Sequence, residues 1–211
     1  WGRSSETRPV RRLLLATNNP GKVREFARLL DGIPFEVVTP QDLGIALEPE
    51  EAGDSYAENA AAKARAFAAA AGCLALADDS GIEVDALGGE PGPRSARFGG
   101  PGLDDAGRTR LLLERMADVP GERRSARYRA VVAIANPQGD VRLFEDSFEG
   151  YIGYECRGSR GFGYDPVFVT ADGRTAAELS DDEKDAMSHR GKAVRAAADY
   201  LRSLPGDGAP E

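Results

Sequence analysis

Short apolar runs alternate along this chain with stretches whose apolar positions recur every three or four residues, the pattern of strands threaded by helices. "RRLLLAT" (Arg11–Thr17) reads as the first strand and "NNPGK" as the tight loop after it. Asn19 suits a helix N-cap with Pro20 at the first helical position. Val23, Phe26, Ala27 and Leu30 then give one apolar face, which Asp31-Gly32 ends. "FEVVT" (Phe35–Thr39) predicts a second strand. "SYAE" (Ser55–Glu58) has the form of a capping box and opens an Ala-rich helix that closes at Gly72. Cys73–Ala77 predicts a buried strand, followed by Asp78-Asp79, a turn at Ser80-Gly81, and another strand through Ile82 and Val84.

Farther on, Asp104 or Asp105 caps a helix carrying Leu112, Met116 and Val119. "ARYRAVVAIANPQGDVRLFEDSFEGYIG" predicts a hairpin turned at "NPQGD". A second capping box, "SDDE" (Ser180–Glu183), leads into a C-terminal helix with Val194, Ala197, Leu201 and Leu204 on one face. Early strand–helix alternation and a late hairpin predict a mixed-sheet α/β fold. No internal repeat is visible. Residues 1–10 and 205–211 read as flexible tails around a single domain over 11–204.

Composition narrows the function. The chain has 211 residues, enough for one domain or two lobes sharing a core. Its net charge of −8 lacks the general basic footprint of nucleic-acid binding, so an anionic partner must be received by local Lys, Arg or a metal ion. Cys73 and Cys156 suggest neither a disulfide framework nor a zinc site, and a single histidine, His189, excludes a multi-histidine metal site. No apolar run reaches the length of a membrane span, and "WGRSSETRPVRR" has no signal-peptide core. A reducing, cytoplasmic setting is expected.

Four clusters carry candidate chemistry. "ATNNPGK" (Ala16–Lys22) runs from a strand into a helix N-terminus, where free backbone N–H groups, Thr17, Asn18, Asn19 and Lys22 can receive an anion. It lacks the Ser/Thr and glycine pattern of a Walker A loop. "EPEEAGDSYAEN" (Glu48–Asn59) is the kind of acidic loop that is usually solvated. Together with Asp78-Asp79 it can complete an oxygen-ligand site, since Mg²⁺ is held by one or two carboxylates, waters and substrate phosphates. Two adjacent carboxylates after a core strand call for a cation, and a metal arriving with a phosphorylated substrate supplies one. "GFGYDPVF" (Gly161–Phe168) offers aromatic faces for a base and glycines for close approach. "EKDAMSHRGK" (Glu183–Lys192) gathers Lys184, His189, Arg190 and Lys192.

In this order the motifs resemble the inosine triphosphate pyrophosphatase family, from about Leu13 to Leu204: "ATNNPGK", "SYAENAAAKA", "ADDSGIEVDALGGEPGPRSARF", "GFGYDPVF" and "TAAELSDDEKDAMSHRGKA". Where that family commonly has Thr-Gly-Asn, this chain has Thr17-Asn18-Asn19. The resemblance implies a homodimeric, Mg²⁺-dependent enzyme with its cleft between two lobes. Its activity would be hydrolysis of ITP, dITP and XTP to the monophosphate and pyrophosphate. The segment Thr17, Asn18, Asn19, Pro20, Gly21 and Lys22 would cradle the triphosphate. Glu51 and Asp79 match metal-binding acids, with Glu50 beside Glu51 leaving that ligand open by one position. Asp79 also matches the proton acceptor, with Asp78 the alternative. Ser80 matches a substrate contact. Phe162 matches the residue that stacks on the base, within the substrate-contacting run Phe162, Gly163, Tyr164 and Asp165. Lys184, His189 and Arg190 match groups that read the purine edge. The enzyme alternative is a related pyrophosphatase acting on a modified or ordinary nucleotide. The non-enzyme alternative is a nucleotide-binding sensor.

Overall fold

A computed structural model describes residues 10–49 and 53–205; most of both expected tails, and Glu50 and Glu51, lie outside it. Strand β1 (Arg12–Leu15) buries three leucines and leads into α1 (Pro20–Leu29). Next come β2 (Glu36–Val38), α2 (Tyr56–Ala71), β3 (Leu74–Val84) and α3 (Asp105–Arg115). The hairpin β4 (Ser125–Ala135) and β5 (Val141–Ile152) follows, then β6 (Phe168–Val169), α4 (Asp181–Met187) and α5 (His189–Ser203). The six strands form one sheet in the order β2-β1-β3-β4-β5-β6. The pairings β2–β1 and β1–β3 are parallel and the rest antiparallel, so the expected mixed-sheet α/β fold is present.

The predicted caps form for the predicted reasons. The Asn19, Ser55, Asp104 and Ser180 side chains each accept a backbone N–H of their helix, and Gly72 closes α2 in the left-handed conformation. Of the two expected capping boxes, the one at Ser180 is reciprocal: Glu183 accepts the Ser180 N–H at 2.8 Å. At α2 the Glu58 carboxylate turns to the Asp54 N–H instead, at 3.1 Å.

Two expectations are corrected. Ser80-Gly81 is not a turn; β3 runs unbroken through it, because the Gly92 carbonyl packs where a Cβ on Gly81 would sit, 2.2 Å away. The C-terminal helix is two helices broken at Ser188, whose backbone is extended and whose hydroxyl caps α5 by accepting the Gly191 N–H. A Cβ on Gly191 would lie 1.9 Å from the Asp185 carbonyl, so glycine permits the tight junction.

Packing explains the sheet's length. Leu13, Leu15, Phe26, Val194 and Leu201 form a core between one sheet face and α1 and α5. Leu14, Ala60, Ala64, Phe67 and Ala75 form another between the opposite face and α2, whose alanines allow close approach. Beyond Gly81 a third core joins Ile82, Leu112, Phe148 and Phe168. Burying each large apolar side chain contributes about 1.5–3 kcal/mol. The long strands β3, β4 and β5 carry the chain from the first two cores to the third, and the candidate site lies at the passage.

Candidate active site

Strand β1 pairs with β3 only as far as Leu15 opposite Leu76. Past that point β3 continues, while the chain turns through Thr17–Asn19 into α1. This is the crevice beyond the carboxyl end of a parallel strand, where α/β sheets bind ligands. The first turn of α1 is not a row of open donors as expected. Asn19 Oδ1 accepts the N–H groups of Gly21 at 2.9 Å and Lys22 at 3.2 Å, because an N-cap amide reaches that far. Asn19 and Lys22 themselves border the cavity, and Gly21 meets Phe162: a Cβ there would lie 2.7 Å from the ring.

Asp78 and Asp79 sit mid-strand rather than at a strand end, so they leave opposite faces of the sheet. Asp78 turns toward α1 and α5. Its Oδ2 is 3.0 Å from Lys22 Nζ and 3.3 Å from Arg190 Nε. Burial pushes the Asp78 carboxyl up, but Lys22, Arg190 and Lys63 outweigh it and hold the pKa well below the usual range. Asp79 turns toward α2, where Asn59 Nδ2 donates to its Oδ2 at 2.9 Å and the Ser80 N–H donates to Oδ1 at 2.9 Å. The Asp78 cations are therefore protein side chains, which answers part of the question raised by the paired acids without a metal.

A buried ion network continues from Asp78. Arg190 Nη2 donates to Ser80 Oγ at 2.8 Å and Nη1 to Glu25 Oε2 at 2.6 Å. Glu25 Oε1 accepts from Lys184 Nζ at 2.8 Å, and Lys184 also meets Asp165 Oδ2 at 2.6 Å. Burial lowers the Lys184 pKa, but Asp165 and Glu25 outweigh it, and the net shift is upward. Lys184 and Arg190 both lie over the Phe162 ring, 5.0 and 5.5 Å from its centroid. His189 is buried, and desolvation with the nearby Arg190 and Lys184 charges pushes its pKa well below the ordinary value, so it is neutral at physiological pH.

These groups border one cavity of about 150 Å³. It brings together Asn19, Lys22, Asp79 and Ser80 on one side with Phe162, Gly163, Tyr164 and Asp165 on another. Lys184, His189 and Arg190 complete it. Thr17, Asn18, Pro20 and Gly21 are adjacent in the loop but do not border it. Tyr164 is mostly core: it is 5% exposed and donates to the Ser95 carbonyl. Glu51 lies outside the described residues.

Glu25, Asn59, Lys63 and Tyr128 were missed from the sequence. Glu25 follows Lys22 by one helical turn, and Asn59 and Lys63 are four apart on the helix face toward β3, so helical spacing was the available signal. Lys63 Nζ reaches the Asp78 carbonyl at 3.4 Å. Among the described residues no group of three or more His, Cys, Asp and Glu is arranged to hold a metal. One cleft carboxylate, Asp79, nevertheless suits a hard cation that draws its other ligands from substrate phosphates and water.

Fold and site together define an α/β protein with a cleft beyond the end of a parallel strand, bordered by Asn19 and Lys22 at one end and by an aromatic ring and paired charges at the other. Residues 13–200 match the Ham1 family, and the chain belongs to it. It is 52% identical over 200 residues to a dITP/XTP pyrophosphatase of Symbiobacterium thermophilum, covering 94% of this chain and 98% of that protein. It is 40% identical to a dITP/XTP pyrophosphatase of Bacillus subtilis, covering 92% and 98%. The solved structure of a HAM1 protein from Coxiella burnetii superposes with a TM-score of 0.84 at 36% identity, over 92% of this chain and all of that one.

Proposed function

We propose that this protein hydrolyses dITP, ITP and XTP to the nucleoside monophosphate and pyrophosphate, removing deaminated purines from the cytoplasmic nucleotide pool. The observation that carries the reading is one cavity that Asn19, Lys22 and Asp79 border with Phe162, Lys184 and Arg190. The family's relatives bear names for this activity. The base lies against Phe162 and the polyphosphate at Asn19 and Lys22. Asp79 takes the proton of the attacking water, with Asn59 fixing its carboxylate. Lys22 stabilises charge on the departing pyrophosphate.

Charge supports a divalent cation. Lys22, Lys184 and Arg190 are already paired with Glu25, Asp78 and Asp165, so each meets a triphosphate with its charge partly offset. Asp79 and Glu51 would hold Mg²⁺, which when bound offsets phosphate charge and lowers the pKa of a coordinated water. Asn59 bonds Asp79 and also accepts the Gly53 N–H at 2.8 Å.

Base preference follows from the remaining donors. Lys184 uses two of its three N–H groups on carboxylates, and Arg190 three of five on protein acceptors. What is left is donor-only and matches a 6-oxo purine, whereas adenine presents an amino donor there. A homodimer, implied by the family resemblance, is part of the proposal, and light scattering measures it. The deciding experiment is pyrophosphate release from ITP, XTP, dATP and GTP, with phosphorus NMR of the products. Orthophosphate as primary product, or equal rates on dATP and ITP, overturns the reading. Binding without turnover would favour the sensor.

A further inference from the structure

Tyr128 reaches the cavity from β4, and the chemistry above gives it no part. It stands in a cross-strand row with Ile82 on β3 and Phe148 on β5. Its ring lies flat on the His189 imidazole, with centroids 4.8 Å apart and planes 7° from parallel. Phe168 packs against it at a tilt, 4.6 Å away. The phenol donates to Asp165 Oδ1 at 3.1 Å. The other oxygen of that carboxylate accepts from Lys184 at 2.6 Å and from the Phe162 N–H at 2.9 Å. One side chain thus touches both segments that wall the pocket, the 161–168 loop and the first turn of α5.

A buried tyrosine with a satisfied hydroxyl is ordinarily a packing residue. Here the acceptor is the carboxylate that orients Lys184 and Phe162, and the ring sets the plane of the neutral His189. Without the phenol, Asp165 Oδ1 would be a buried acceptor lacking its partner, and the carboxylate would be free to rotate away from the Phe162 N–H. Tyr128 makes no direct contact with the Thr17–Lys22 loop, whose link to it runs only through Phe162 against Gly21, so the phosphate end would be disturbed less than the base end.

We infer that Tyr128 is a positioning residue for the base end of the site, holding His189 by its ring and Asp165 by its hydroxyl so that Phe162 and Lys184 meet the purine in one fixed arrangement. The inference rests on the purine nucleotide reading given above. Tyr128→Phe keeps the ring and removes the donor. IMP and inorganic pyrophosphate, each tested as an inhibitor of ITP hydrolysis, probe the two ends separately. A hydrogen bond to a charged group predicts that the KM for ITP and the inhibition constant for IMP rise about tenfold. The inhibition constant for pyrophosphate and kcat should stay within about twofold, and the ITP-to-ATP ratio of kcat/KM should fall. Phe168→Leu, which removes packing behind Tyr128, should lower the melting temperature without moving these ratios.

Asp165→Asn, which weakens the shared acceptor, should give the same base-selective loss and serves if Tyr128→Phe does not fold. An unchanged IMP-to-pyrophosphate ratio in the soluble variant, or equal weakening of both inhibitors, overturns the inference. A wild-type protein that hydrolyses ITP but binds no IMP overturns it as well. Failure of the wild type to act on any purine triphosphate instead removes the functional reading on which it rests.

Discussion

Glu25 should be the most costly single charge to remove. It is 6% exposed and links Lys184, at 2.8 Å, to Arg190, at 2.6 Å. Glu25→Gln keeps the shape and deletes the charge, leaving Asp165 on Lys184 and Asp78 on Arg190. Removing one partner of a buried ion pair costs about 3–5 kcal/mol, and the surviving partners place this case near 3 kcal/mol. A chain of this size loses about 2–4 °C of melting temperature per kcal/mol, so a fall of about 6–12 °C follows. The pH dependence has a definite sign. Burial raises the Glu25 pKa, yet Arg190 and Lys184 outweigh it and hold it below its ordinary 4.5. A carboxyl depressed on folding contributes its full stability above the unfolded value and loses it as pH falls through the folded one. The gap between wild type and variant should therefore be widest at neutral pH and close below about 4.5. Calorimetric melting across that range measures it. A neutral-pH loss under about 1 kcal/mol, or a gap that stays open in acid, would refute the argument that the network depends on this charge.

Two other substitutions separate chemistry from structure. Asp79→Asn should fold with little change in melting temperature and lose kcat by at least about a hundredfold, the low end for a general base; a variant keeping a tenth of wild-type turnover at saturating Mg²⁺ would remove Asp79 from that role. Arg124 is fully buried and donates to the carbonyls of Met116, Val119, Ile152 and Gly153, so Arg124→Met, by leaving buried acceptors bare, should cost at least about 2 kcal/mol in urea unfolding with kcat unchanged.

Much of the fold was legible because its signals are local. Asn19-Pro20, Ser55, Gly72, Asp104 and Ser180 mark helix ends through hydrogen bonds and φ angles that depend on a few neighbouring residues. The misreadings fall where distant chain segments decide. Ser80-Gly81 looks like a turn, but its glycine admits the Gly92 backbone against a strand. The break at Ser188 has no proline or glycine before it. It follows from the approach of Asp185 to Gly191 and from Arg195, which donates to the Asp185 and Ala186 carbonyls. Glu25 was hidden for a related reason: a charged residue on a short helix reads as solvated until its partners, more than 150 positions away, are known.

The adjacent aspartates show how one wrong element changes the chemistry inferred. Placed at a strand end before a turn, Asp78 and Asp79 look like neighbours that repel and share a cation. In a continuous strand successive side chains point to opposite faces, so the two carboxylates have different neighbours. Asp78 meets Lys22 and Arg190 and closes the ion network between α1 and α5. Asp79 meets Asn59 of α2. The first is held ionised by protein cations and is poorly suited to accept a proton. The second is held by the Asn59 amide and the Ser80 N–H and borders the cavity. Strand alternation thus divides two identical residues into one that organises the cations and one that faces the cavity, and the proposed proton acceptor is the second.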